Sequence, residues 1–216
     1  MNKRAQAWLI SALVYAAFVI WYTDFGGPLS DAEVDAFVST LEARDADPAI
    51  VASLERFFRN DTGRQFLMVN AIDMNDNPPD VEGAAPSENA DQLMARYLEH
   101  MFPELLKRAS HPVIVGEAVH TALDTLGIEG AEQWTDAAMF RYRSRRSFME
   151  IIVNPEFSGK HDFKHAALDK TLAYPIETSL YLGDLRLLLG LFLLAVTALL
   201  DNLLLSRRRV AKDQRE

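Results

Sequence analysis

Hydrophobic and polar residues divide this chain into an apolar beginning, a polar middle and an apolar end. Residues 5–23, AQAWLISALVYAAFVIWYT, carry no charge. Nor do residues 187–200, LLLGLFLLAVTALL, which Leu203, Leu204 and Leu205 extend. A hydrocarbon core of ~30 Å needs about 20 apolar helical residues. The first block meets that length directly. The second meets it as a helix over 181–206, with Asp184, Arg186, Asp201 and Asn202 toward its ends. Charges there reach headgroups and water, at far less than the ~2.5–3.5 kcal/mol of a charge at the bilayer centre. The pattern predicts transmembrane helices over 5–23 and 181–206. Trp21 and Tyr22 suit an interfacial belt, and no small-residue cleavage site follows them, so the first span reads as an uncleaved anchor.

The middle begins with helical spacing. Ser30 and Glu33 form a capping-box signature ahead of Val34, Phe37, Val38 and Leu41. Asp47-Pro48 opens a second helix whose stripe is Ile50, Val51, Leu54, Phe57 and Phe58, with Gly63 as its stop. Residues 30–62 thus form a helical hairpin, and Phe57-Phe58 is expected to dock on the domain that follows.

From Phe66 the period changes. FLMVNAID is a strand, apolar enough to be covered on both faces. A loop rich in Asn, Pro and Gly leads to Ser87, which starts a helix with Leu93, Met94, Tyr97, Leu98, Met101, Leu105 and Leu106 on one side. Pro103 is expected to kink or divide that helix. Strands follow at VIVGEAVH (113–120) and WTDAAMFRYR (134–143), separated by a loop around Gly127 and Gly130. Ser144 caps a helix with Phe148, Ile151 and Ile152, stopped by Asn154-Pro155. A helical piece over 162–170 and a strand over 171–177 complete the order. Strand, helix, strand, strand, helix, strand predicts a four-stranded sheet with helices on one face, the ferredoxin-like βαββαβ plan of an α+β domain over 66–178.

Charge places this domain. The whole chain carries −9, yet Asp24 to Thr178 hold 27 acidic and 14 basic residues, a net −13. Lys3, Arg4, Arg207, Arg208, Arg209, Lys212 and Arg215 flank the two spans instead. Short Lys- and Arg-rich flanks stay inside, so both termini are expected in the cytoplasm and the middle outside it, periplasmic at a bacterial inner membrane. The acidic balance excludes a nucleic-acid surface. With no cysteine in the chain, disulfides and thiolate catalysis are excluded too.

Several short segments share one resemblance. MVNAIDM (68–74), the Tyr97 helix, VIVGEA (113–118), WTDAAMFRYRSRRSFMEIIVNPEF (134–157) and HDFKHAALDKTLAYP (161–175) together resemble the uncharacterised branch of the dimeric α+β barrel superfamily. The matching positions are Asn70, Trp134 with Asp136, Tyr142 through Phe148, Asn154-Pro155, and His161-x-x-Lys164-x-Ala166-Ala167-Leu168. Ser110-His111, Lys164 and Ala167 stand where that pattern has Gly-Gly, Arg and Gly. The resemblance covers about half the chain and leaves out the spans and the hairpin. It implies a sheet that pairs face to face with that of a second subunit, a dimeric barrel. An open four-stranded sheet needs such a partner to bury its apolar face. Related superfamilies of this fold include cofactor-independent monooxygenases and haem-degrading enzymes, and in the monooxygenases a first-strand Asn contacts substrate.

Candidate ligand-binding residues follow from both sources. Asn70 is an amide inside an apolar strand, where it must find partners or cost ~1–3 kcal/mol. His161 and His165 are spaced to share a helix face, but no third metal ligand accompanies them and no metal is expected. Arg141, Arg143, Arg145 and Arg146 cluster within an acidic domain; Arg145 and Arg146 open a helix, where the dipole favours anions. Either an anionic ligand or the domain's own carboxylates would answer these arginines. Tyr142 and Lys164 join the group through the resemblance. No nucleophile elbow or phosphate-cradling glycine loop is present, no cofactor is expected, and catalytic residues are not assigned. Two readings of function stand. One is a membrane-anchored ligand-binding or interaction module in contact with lipid, a homodimer open to a small-molecule ligand. The other is a small-molecule oxygenase or isomerase using the barrel pocket, with Asn70, Tyr142 and His165 as its candidates.

Overall fold

The computed structural model describes residues 2–157 and 159–213, with side chains through residue 206. The side chains of Arg207, Arg208, Arg209 and Lys212, and all of Arg215, on which the orientation expectation leans, lie outside the described residues. The chain divides into two compact units, residues 1–23 with 179–216, and residues 24–178.

The first unit is a pair of helices, α1 (Lys3–Tyr22) and α7 (Leu185–Asp213). Lys3–Tyr22 and Leu185–Ser206 have mean hydropathies of 1.6 and 2.2, long and apolar enough to cross a membrane, and only 6% of each is buried. Polar groups join them in antiparallel register. Arg4 pairs with Asp201, Ser11 and Thr197 share a hydrogen bond of 2.6 Å, and Gly190 lies so near the Tyr15 ring that a Cβ would come within 3.3 Å. Arg186, itself paired with Asp184, holds its guanidinium 5.6 Å from the Tyr22 ring centre. Arg4, Ser11, Thr197 and Asp201 thus find their polar partners across the pair.

The second unit is mixed α+β. Helices α2 (Asp31–Glu42) and α3 (Pro48–Arg59) form the hairpin. Ser30 and Glu33 make the full reciprocal capping box, and the Asp47 carboxylate accepts from the Ala49 N–H at 2.7 Å. Val34, Phe37, Leu41, Val51 and Phe58 close the hairpin's core, and Phe57 reaches out of it to stand edge-on to Phe66 and Phe148.

Four strands, β1 (Phe66–Met74), β2 (His111–Glu117), β3 (Asp136–Tyr142) and β4 (Leu168–Ile176), form one antiparallel sheet in the order β2-β3-β1-β4. Between them run α4 (Ala90–Lys107), α5 (Arg145–Ile152), a 3-10 turn at Pro155–Phe157 and α6 (Lys160–Ala167). Strand alternation sets the faces. Phe66 and Met68, opposite Tyr142 and Phe140, lie under Leu93, Tyr97 and Leu105 of α4 and Phe163 of α6.

Within one chain the sheet face away from the helices is open at its outer strands: Ile114, Leu172 and Tyr174 on it are 56%, 44% and 47% exposed, while Leu67 of β1 is buried. The structure corrects three local expectations. Helix α4 starts from Asn89, not Ser87; Asn89 and Gln92 make a second reciprocal capping box, which binds the end more firmly than one hydroxyl. Helix α4 also runs through Pro103 undivided, its apolar stripe being anchored from Leu93 to Leu105. Helix α6 ends at Ala167, and Leu168 to Lys170 belong to β4, where Asp73 and Met74 of β1 pair with them.

Candidate functional site

Arg141 is fully buried, and its guanidinium donates to the Ala109 carbonyl at 2.6 Å and to Gln65 Oε1 at 2.8 Å. Arg145 donates to the Phe57 carbonyl at 2.5 Å and to Glu177 at 2.9 Å, stands 3.6 Å from Asp61, and lies over the Phe57 ring. Arg146 bonds Glu33 at 2.9 Å and the Gly27 carbonyl at 3.2 Å, with Asp24 at 3.5 Å. That guanidinium, with the Ser30 backbone and hydroxyl, lowers the Glu33 carboxyl to about 2. These cations tie α5 to the hairpin and to the chain ends of the domain.

Asn70 is equally absorbed. It lies on the helix-covered face, buried, and its amide donates to the Met68 carbonyl at 3.1 Å and the Ala138 carbonyl at 3.3 Å. Ala138 and Ala173 flank it across the sheet. Tyr142 sits four residues along β3 from Ala138, about 13 Å away. There it stacks on Phe66 at 5.0 Å, edge-on to Phe148. Asn70 and Tyr142 therefore do not share one contact site.

The remaining candidates come together on α6. His161 and His165 lie one turn apart, ring centres 5.3 Å from each other. The edge of His161 meets the Tyr97 ring of α4 at 5.4 Å, and the Lys164 ammonium lies 5.8 Å from the centre of that same ring. Among the described residues, none of these three bases makes an ion pair. Burial pushes the Lys164 amine down. Burial, then Lys164 and His165, press His161 down to about 4, opposed only by Asp162. The outer side of His161 is nevertheless exposed, so the group can be reached from solvent. Tyr97 is the member that its helix spacing alone assigns to the core. Burial raises its phenol to about 12, and it in turn adds to burial in raising Tyr142, which places the two phenols within electrostatic reach. A tyrosine set in an otherwise aliphatic helix stripe was the available signal.

Two other features belong to the link between β2 and β3, residues 118–135. It projects Val119, Leu123 and Leu126 almost completely into solvent, 100%, 93% and 93% exposed. Its base is fastened to β4, where Lys170 bonds the Gly130 carbonyl and lies 4.9 Å from the Trp134 ring centre. Beside that base is an open polar cleft of about 620 Å³, lined among others by Asp73, Asp76, His120, Trp134 and Asp169. None of the sequence-derived candidates lines it. Among the described residues no group of three or more His, Cys, Asp or Glu is placed to hold a metal ion.

No family model and no curated protein matches the chain. Solved structures do. The crystal structure of RPA0582, a protein of unknown function from Rhodopseudomonas palustris, matches 62% of this chain and 95% of that one at 18% identity, TM-score 0.49. The methylated RPA0582 protein matches 64% and 95% at 18% identity, TM-score 0.50. At 18% identity the likeness to the methylated protein is one of fold alone.

Proposed function

We propose that this protein is a membrane-anchored module. Helices α1 and α7 cross the bilayer with both ends cytoplasmic. The domain of residues 24–178 stands outside, periplasmic in a bacterium, pairs with a second copy through its sheet, and holds a small ligand on its helix side. The strand order β2-β3-β1-β4, antiparallel throughout with helices on one face, supports the ferredoxin-like reading and with it the dimeric α+β barrel.

One observation carries the reading: the open sheet face. Val69, Met139, Ile114, Leu172, Tyr174 and Ile176 share it. On it Asp73 and Lys170 neutralise each other at 3.4 Å, and Arg141 is buried against Gln65 and Ala109. Seven residues of strand by four strands make a patch of ~24 by ~19 Å. That is over half the ~800 Å² that each partner contributes to a stable interface. A second copy supplies an equal face, and two spans per chain hold both copies in one plane, where modest affinity suffices.

Native mass spectrometry of the full chain, released from nanodiscs, reads the dimer directly. The pair Leu172→Glu and Tyr174→Glu should give monomers with an unchanged circular dichroism spectrum. A wild-type monomer at every concentration overturns the dimer. Topology is read separately, because any thiol introduced into this cysteine-free chain is unique. Asp124→Cys should react with an impermeant maleimide from outside the cell, and Ser206→Cys only after lysis; the reverse pattern overturns the orientation.

A further inference from the structure

The exposed face of α6 contradicts its surroundings. In a domain of 27 acidic and 14 basic residues, nearly every buried cation is met by a carboxylate or carbonyl. His161, Lys164 and His165 are not. They project from one side of α6 at positions i, i+3 and i+4, which brings their heads together. The Tyr97 ring walls the inner side. Asp162, the nearest acid in sequence, is the least of the influences on His161, and among the described residues it forms no ion pair with any of the three bases. A half-buried ammonium and two imidazoles without a counter-charge are costly to keep. The cost falls when an anion enters, because each base then donates a charge-assisted hydrogen bond to it.

We propose that His161, Lys164 and His165, backed by Tyr97, form a receptor for the carboxylate or phosphate group of an anionic ligand. The inference rests on the ligand-binding part of the proposed function and deepens it by naming the ligand's chemistry. Lys164 supplies the fixed charge. His161 and His165 supply directional N–H donors, and His161, held low in the empty site, takes up a proton as the anion arrives. Tyr97 excludes water from the inner side and fixes the ammonium by its ring face.

The test uses the full chain in phosphatidylcholine nanodiscs, labelled at its five histidines and followed by NMR. Inorganic phosphate and succinate are the probes, each taken to about 10 mM, enough to fill nine-tenths of a site with a ~1 mM dissociation constant. His161 and His165 should shift with at least one probe while His120 stays still, and the His161 titration midpoint should rise from about 4. Lys164→Met should weaken binding by about tenfold or more, the loss of one charged hydrogen bond. Lys164→Arg should retain it, which guards against a variant that merely fails to fold. Absence of shifts with both probes overturns the proposal, as does an equal response in a folded Lys164→Met. Repeating the experiment in phosphatidylglycerol nanodiscs separates two sources: shifts present before any probe is added assign the anion to a lipid headgroup. The oligomer mass of each sample keeps the readings apart. A monomer that responds sinks the dimer alone, and a dimer that is silent sinks the anion receptor alone.

Discussion

Helices α5 and α6 each carry a dense group of bases, and the fold treats the two groups oppositely. At α5 the guanidiniums of Arg145 and Arg146 are enclosed by Phe57, Asp61, Glu177, Glu33, Asp24 and the Gly27 carbonyl, and Arg141 just before it is sealed by Gln65 and Ala109. At α6, His161, Lys164 and His165 meet an aromatic ring and one another. The first arrangement is cohesion: cations from one element bind acceptors scattered along the chain, so removing a cation strands several partners. The second contributes little to cohesion and retains charge that the domain itself does not answer. Composition cannot tell them apart; only the acceptors can.

Breaking the cohesive side should cost most. Arg141→Met removes the donor to the Ala109 carbonyl and to Gln65 and leaves a cavity where a fully buried side chain stood, and should destabilise the protein by about 3 kcal/mol. Urea unfolding of the full chain would show this, and a loss below ~1 kcal/mol would remove Arg141 from the cohesive group. Arg145→Met should cost about 2 kcal/mol, concentrated where its acceptors lie. Hydrogen exchange should then quicken in α2 and α3 while β1 and β3 keep their protection. Uniform quickening would mean that Arg145 holds the domain as a whole and not the hairpin. Lys164→Met should behave in the opposite way, leaving stability unchanged or raising it by up to ~1 kcal/mol, because an unanswered charge is replaced by a chain of similar volume. A loss as large as that of Arg145→Met would place Lys164 among the structural cations.

The difference between these helices was only half legible in the sequence. Local devices were readable: Ser30 with Glu33 and Asp47 with Pro48 act within one turn, and the structure uses both. The second capping box, Asn89 with Gln92, is equally local, and its spacing matches that of Ser30 with Glu33. The end of α6 was not readable, since His165 to Lys170 suit a helix until Asp73 and Met74 arrive to pair with 168–170. Arg145 and Arg146 could be placed at a helix start, where the dipole alone suggests an anion site. Their hydrogen-bond acceptors Glu177, Phe57, Glu33 and Gly27 lie from 32 to 119 residues away, and nothing in the local pattern announces them. The same limit hid the apolar tip of the β2–β3 link. Val119, Leu123 and Leu126 look like ordinary core residues until the fold leaves them in water.

Acidity separates the two groups with the smallest effect. Glu33, held by Arg146 at about 2 against an ordinary 4.5, is the answered case. Its folded value is depressed, so the stability it contributes is complete above pH 4.5 and is lost as pH falls toward 2. His161 is the unanswered case, at about 4 against 6.5, faced by Tyr97 from α4 and by Lys164, His165 and Asp162 of its own helix. Between those two values the unfolded chain binds the proton and the folded one resists it, so stability again falls with falling pH, but in the higher window. A pH series of urea midpoints should therefore show two successive declines. Glu33→Gln should flatten the lower one and spare the upper; His161→Asn should do the reverse. Both residues keep solvent contact, so each decline should be shallow, the more so for Glu33 in high salt. An anion bound at α6 would raise the His161 value toward 6.5 and erase the upper decline without touching the lower. An upper decline that persists under saturating anion would mean that the His161 proton and the anion do not meet.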